Sequence, residues 1–146
     1  MHSWGDAVSE ATQAELDRLL NSALRLAQSR LSEAAVFEPA ALVVAEDSRV
    51  LELEPDRSGL GKHPEAEVVI DNAVRHLRRV RTEVRCTAVV FSTRLARERT
   101  DAVEVRIEHR DGASAVVLMP YKKATFGGRT EFGSLKAFSS RREVWA

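Results

Sequence analysis

The chain has 146 residues, with 22 basic and 22 acidic side chains, 44% apolar residues and an aromatic share of only 5%. That length is the size of one domain with its own core, and the composition excludes a disordered or fibrous chain. Balanced charge excludes a global field that steers toward nucleic acid or anionic membrane, and so few aromatics argue against base-stacking platforms and sugar-binding grooves.

Residues 1–7 lack the basic and apolar regions of a signal peptide and read as a flexible lead. From about Val8 to Leu31, Leu16, Leu20, Ala23, Leu24, Ala27 and Leu31 recur at helical spacing, with Glu15, Arg18, Arg25 and Gln28 on the other side. Ser9 is the expected N-cap, with Thr12 a weaker one. Ala40 to Ala45 is a short apolar run, Glu46-Asp47-Ser48-Arg49 a turn, and Val50, Leu51 and Leu53 alternate with glutamates. This predicts a hairpin whose first strand is buried on both faces and whose second is half exposed. Pro55 to Pro64 is a breaker-rich loop, followed by a second helix from about Glu65 to Arg81 with Val69, Ala73, Leu77 and Val80 as its buried stripe.

Val84 to Phe91 is a β-branched run expected as a central strand. It contains Cys86, a single cysteine that excludes an internal disulfide and reads as a buried small hydrophobe. Val103, Val105, Ile107 and His109 alternate with Glu104, Arg106, Glu108 and Arg110, and Asp111-Gly112 then leads into Ala115 to Tyr121. A two-residue turn at Asp111-Gly112 predicts Arg110 opposite Ala113, Ile107 opposite Val116 and Val105 opposite Leu118, the last two pairs on one buried face. Residues 122–146 read as an irregular tail. Within it, Phe126-Gly127-Gly128-Arg129 forms a glycine-rich loop, Leu135 to Phe138 a short edge strand, and Phe138 and Trp145 the anchors onto the body.

The expected fold is therefore a single α+β domain over residues 1–146, with five mainly antiparallel strands and two main helices in the order α-β-β-α-β-β-β plus the tail. That order is similar to profilin-like and roadblock-like domains, a likeness of fold alone.

Several motifs lose to plainer readings. Gly59-Leu60-Gly61-Lys62-His63 lacks the first glycine and the hydroxyl residue of a phosphate loop, since Asp56 and His63 stand there. His109-Arg110-Asp111 spells a kinase triplet with none of its companions. The four histidines show no ligand spacing, so no metal or cofactor is expected, and a zinc deaminase would need more than one cysteine. Arg75, Arg78 and Arg79 share a helix face that with Lys122 forms a basic patch, a candidate for phosphate or nucleic acid. A solvated helix end complementing its own dipole is the favoured alternative.

Asp101 to Gly112, Met119-Pro120-Tyr121-Lys122, Glu131-Phe132-Gly133 and the passage Leu77 to Leu95 resemble a family of small bacterial proteins of actinobacterial type and unknown function. The resemblance implies the fold and no activity. Residues 1–62 hold eleven acids against six bases and residues 63–146 eleven against sixteen, a dipolar distribution suited to self-association. With no recognisable catalytic constellation, the expected function is a non-catalytic binding or protein-interaction domain. It is expected to be cytoplasmic and homodimeric, with no membrane partner and with nucleic acid disfavoured. The alternative is a small-molecule binder or enzyme with a pocket near the Tyr121–Phe132 loop, using His109, Tyr121, Lys123 and Arg129.

Overall fold

Ser9 starts the first helix: its extended backbone leaves the hydroxyl oxygen free to accept the Thr12 N–H at 3.1 Å. The computed structural model describes residues 4, 8–57, 59–123 and 129–146. Helix α1 runs Glu10–Glu33, strands β1 and β2 are Ala40–Ala45 and Val50–Leu53, and helix α2 is Ala66–Val80. After one 3₁₀ turn come β3 (Val84–Leu95), β4 (Thr100–His109), β5 (Ser114–Lys122), β6 (Glu131–Phe132) and β7 (Lys136–Ser139). The alternation of helices and strands expected from sequence is present, but among the described residues the sheet has seven strands rather than five.

The strands pair antiparallel in the order β2-β1-β3-β4-β5-β6, and β7 also lies along β5. β6 and β7 line the same edge of β5 with their pairing offset by one residue. They form an edge strand interrupted after Phe132, where Gly133 N–H donates to the Pro120 carbonyl at 2.7 Å. Segments this short and broken carry no period-2 signal, so the sequence reads them as tail.

Two apolar layers sit on opposite faces of this sheet. The stripe Leu16, Leu20, Ala23, Ala27 and Leu31 of α1 packs on Leu42, Val44, Cys86, Ala88, Val90, Val103, Val105 and Ile107. On the other face, Val74 and Leu77 of α2 pack on Ala41, Val43, Val89 and Phe91. Because β1 and the middle of β3 are covered on both sides, Ala40–Ala45 and the stretch 88–91 are continuous apolar runs rather than alternating ones.

Among the described strands, helix α2 rests mainly on β1 and β3. The last residues cover β4 at Glu108, but over β5 and β7 no helix covers that face, and Val116, Leu118 and Pro120 are half-buried there while alternating with the buried Ala115, Val117 and Met119. Phe138, opposite Val116, is 53% exposed. Contrary to expectation it does not anchor the tail. Val144 does, fully within the α2-side layer, with Trp145 packed at its edge.

The β4–β5 register differs by one residue from the expected one. Ile107 faces Ala115, Val105 faces Val117, and His109 N–H donates to the Ala113 carbonyl at 2.9 Å, so Arg110 is not opposite Ala113. The loop holds three residues, Arg110 to Gly112, closed by Gly112 N–H on the His109 carbonyl at 3.0 Å. Gly112 has φ +121°, whereas Asp111 is not among the residues of positive φ, as a two-residue turn would require. A one-residue slip exchanges faces, which is why Val116 and Leu118 look outward where the shorter turn would bury them.

Gly112→Ala tests this corner. Open space surrounds the position, so only the backbone conformation resists the new Cβ. Denaturant unfolding is expected to show a loss of about 1–2 kcal/mol with an unchanged slope. A neutral substitution would mean that residue 112 does not carry the positive φ.

Candidate functional site

The four expected ligand residues do not form one pocket. His109 closes β4, whereas Tyr121 pairs with Asp101 at the start of that strand. Eight residues of strand, about 27 Å, separate the two positions. Tyr121 is buried with its hydroxyl 3.4 Å from Ser92 Oγ and its ring 6.3 Å from that of Phe132. Lys123 Nζ donates to the Ala34 carbonyl at 2.6 Å, where a cation complements the helix end. Arg129 is exposed, and Phe126, Gly127 and Gly128 of the expected loop lie outside the described residues.

His109 belongs instead to a buried polar cluster under the start of α1. Its ring is fully buried. Nδ1 accepts the Asp111 N–H at 3.1 Å, so Nε2 carries the hydrogen and donates to Glu15 Oε1 at 3.1 Å. Two of the three nitrogens of the Arg85 side chain clasp the same Glu15 carboxylate, Nη2 at 3.0 Å from Oε1 and Nε on Oε2. Thr12 Oγ1 donates to Asp111 Oδ2 at 2.9 Å and completes the chain of contacts.

A β-bulge delivers Arg85: Val44 pairs with Cys86 and Ala45 with Val84, so Arg85 is an extra residue released from the pairing with β1. The guanidinium beside Glu15 holds its carboxyl below the usual carboxylate range, outweighing burial, and the His109 hydrogen bond pulls the same way. With both His109 ring nitrogens and both Glu15 oxygens engaged, the cluster ties α1 to the β4–β5 corner, while the Asp111 carboxylate stays largely exposed at its edge.

The neighbouring residue, Glu108, points to the other face and is also buried. Its carboxylate accepts the N–H groups of Glu143 at 2.8 Å, Val144 at 2.9 Å and Trp145 at 3.3 Å. Arg78 Nε donates to the Glu143 carbonyl at 2.6 Å, and Arg81 Nη1 to that of Val144 at 3.1 Å. Arg142 reaches back to the His109 carbonyl at 3.1 Å and lies over the Trp145 ring at 5.9 Å. Thus the last stretch of chain is gripped through its backbone.

This clasp also uses up part of the expected basic patch. Arg78 holds the tail, Arg79 pairs with Asp56 at 3.0 Å, and Arg75 is exposed. Lys122 is exposed at the far end of β5, away from the α2 terminus that leads into β3. The patch is not assembled as one surface.

Glu15, Arg85, Thr12 and Glu108 were not readable as site residues. Glu15 sits on the polar side of the helical pattern and Glu108 on the outward phase of β4, where solvation is the default expectation. Only the pairing of residues far apart in sequence reveals their partners. Cys86 is buried, and burial pushes its thiol far above the usual range, so it stays protonated. Among the described residues no group of three or more His, Cys, Asp or Glu is arranged to hold a metal ion, and no helix is long and apolar enough to cross a membrane.

No protein-family model matches the chain, and neither the curated proteins nor the solved structures contain a match.

Two substitutions separate the two carboxylates. Glu15→Gln is expected to cost about 2–3 kcal/mol at pH 7, because it strips Arg85 of its counter-charge. A carboxyl with a lowered folded-state pKa stabilises above its ordinary value of 4.5, and that contribution disappears as pH falls through the folded-state value. The gap between wild type and variant should therefore narrow on acidification below about pH 4.5, as followed by urea unfolding across pH. Glu108→Gln places an amide NH₂ against three N–H donors. The Trp145 emission should shift red, and amide exchange at residues 143–145 should accelerate at least ~10-fold through local release of the tail.

Proposed function

We propose that this chain is a non-catalytic protein-interaction domain that works as a homodimer, joined along β7 and the open sheet face beside it. The observation that carries the reading is the exposed Phe138 on an edge strand next to the half-buried row Val116, Leu118 and Pro120.

The geometry of β7 supports a symmetric pairing. Ser140 N–H donates to the Ser114 carbonyl at 3.3 Å, so Phe138 and Val116, two residues along, are also a hydrogen-bonded pair. Ala137 and Ser139 then turn their N–H and C=O groups away from β5, toward the free side of the strand. A second β7 running antiparallel satisfies these groups if Ala137 of one copy faces Ser139 of the other. The two-fold axis then passes through Phe138, and the two phenyl rings become direct cross-strand neighbours on the open face. Lys136 meets Ser140 in that register, so no like charges are opposed. Four residues of ladder are a weak bond alone. The aromatic pair and the apolar row beside it supply the remaining contact.

The closed state of the Glu15–Arg85–His109 cluster supports the non-catalytic part of the reading, because its hydrogen-bonding capacity is spent on holding α1.

Sedimentation equilibrium between about 1 and 100 µM tests this. The expected species is a dimer with a dissociation constant inside or below that range. Ala137→Pro removes an outward N–H and leaves the β5 ladder intact, and Phe138→Asp puts charges at the axis. Each should raise the dissociation constant at least ~30-fold, with circular dichroism unchanged. A strictly monomeric wild type, or variants that dimerise equally well, would overturn the proposal.

A further inference from the structure

We propose that a cleft between the α1–β1 connection and the loop ahead of α2 is a binding site for a small apolar carboxylate, of the medium-chain or aryl carboxylic acid class. The cleft is open to solvent and offers about 370 Å³, at the lower end of the range typical of small-ligand sites. Its floor is apolar: Phe37 and Val69 are only 9% and 6% exposed, and Pro39 lies between the connection and β1.

The rim is cationic. Glu38 and Arg57 face each other across it at 2.6 Å and cancel. Lys62 and His63, also on the rim, are exposed and engage no side chain or backbone group among the described residues. The charge left for an incoming anion is therefore one ammonium beside one imidazole donor. With Glu38 and Arg57 neutralising each other, one ammonium matches the single charge of a carboxylate and leaves a dianionic phosphate half balanced.

The wall formed by Pro39 and Val69 is shared with a second, smaller void of about 20 Å³ that also touches Ala41, Leu53 and Leu60. It is room for about one water molecule, apolar on the Pro39, Ala41 and Val69 side and edged by the polar residues Glu54, Asp56, Asn72 and His76. The apolar end of a bound acid points toward it, and small side-chain shifts there would set the length accepted. This site lies on the side of the sheet near β1 and α2, away from β7, so it stands or falls independently of the dimer.

The test is an NMR titration of the full chain with octanoate, using 1-octanol and inorganic phosphate as separate probes of tail and head group. Octanoate is expected to give saturable shifts at the amides of Val36, Phe37, Lys62, His63 and Val69, with a dissociation constant of about 1 mM or tighter. Octanol and phosphate should each bind at least ~10-fold more weakly. The exposed double substitution Lys62→Glu with His63→Gln should weaken octanoate at least ~10-fold while leaving the remaining spectrum in place. Shifts that fail to saturate or lie elsewhere would overturn the site. Octanol or phosphate binding as tightly as octanoate, or a double variant of unchanged affinity, would overturn the ligand class.

Discussion

The last two residues of β4 point to opposite faces of the sheet, and each buries a polar group that must be satisfied where it lies. His109 donates to the Glu15 carboxylate and so keys α1 to one face. Glu108 accepts three consecutive backbone N–H groups and so fastens the final residues to the other. A buried carboxylate without partners is costly enough that its partners are effectively fixed in place. Here two such demands, one residue apart on a single pleat, settle where a 24-residue helix begins to pack and where the chain's last residues lie.

That arrangement depends on the Arg110–Gly112 corner. Asp111 donates its N–H to His109 Nδ1 and accepts from Thr12, so the turn residue also orients the imidazole and touches the helix. Arg110 N–H donates to the Arg85 carbonyl at 3.1 Å, which joins the corner to the bulge that releases Arg85 toward Glu15. The conformation at Gly112 lets all of these coexist. The same corner sends Val117 inward and Val116 and Leu118 outward, so the local device that closes the polar cluster also creates the uncovered apolar row on the far face.

The sequence makes the long, periodic elements legible, for a simple reason. Alpha helices with a buried stripe and strands with one covered face repeat their pattern many times, and Ser9, Pro64 and the doubly covered β1 run mark their limits within a few residues. It conceals whatever depends on one residue or on distant partners. Asp111-Gly112 fits a two- or a three-residue loop equally well by composition, and the choice rests on contacts to His109 and Thr12. Glu131–Phe132 and Lys136–Ser139 are too short to show alternation. Glu15 and Glu108 look like ordinary surface acids until Arg85 and the backbone of residues 143–145 are brought to them. The inward phase of His109 is legible from the alternation in β4, but Tyr121 and Lys123 stand at the other end of the strand.

A closed polar corner beside an open apolar half-face fits the proposed role in association: one end is locked, the other offered. Its geometry turns on the β4–β5 register, which cross-strand Hα–Hα nuclear Overhauser effects read directly. The structure places Arg106 against Val116 and Glu104 against Leu118 as close, non-hydrogen-bonded pairs, so strong Hα–Hα effects are expected between those residues. Strong effects between Ile107 and Val116 or between Val105 and Leu118 would restore the two-residue turn, reverse the faces of β5 and contradict the account.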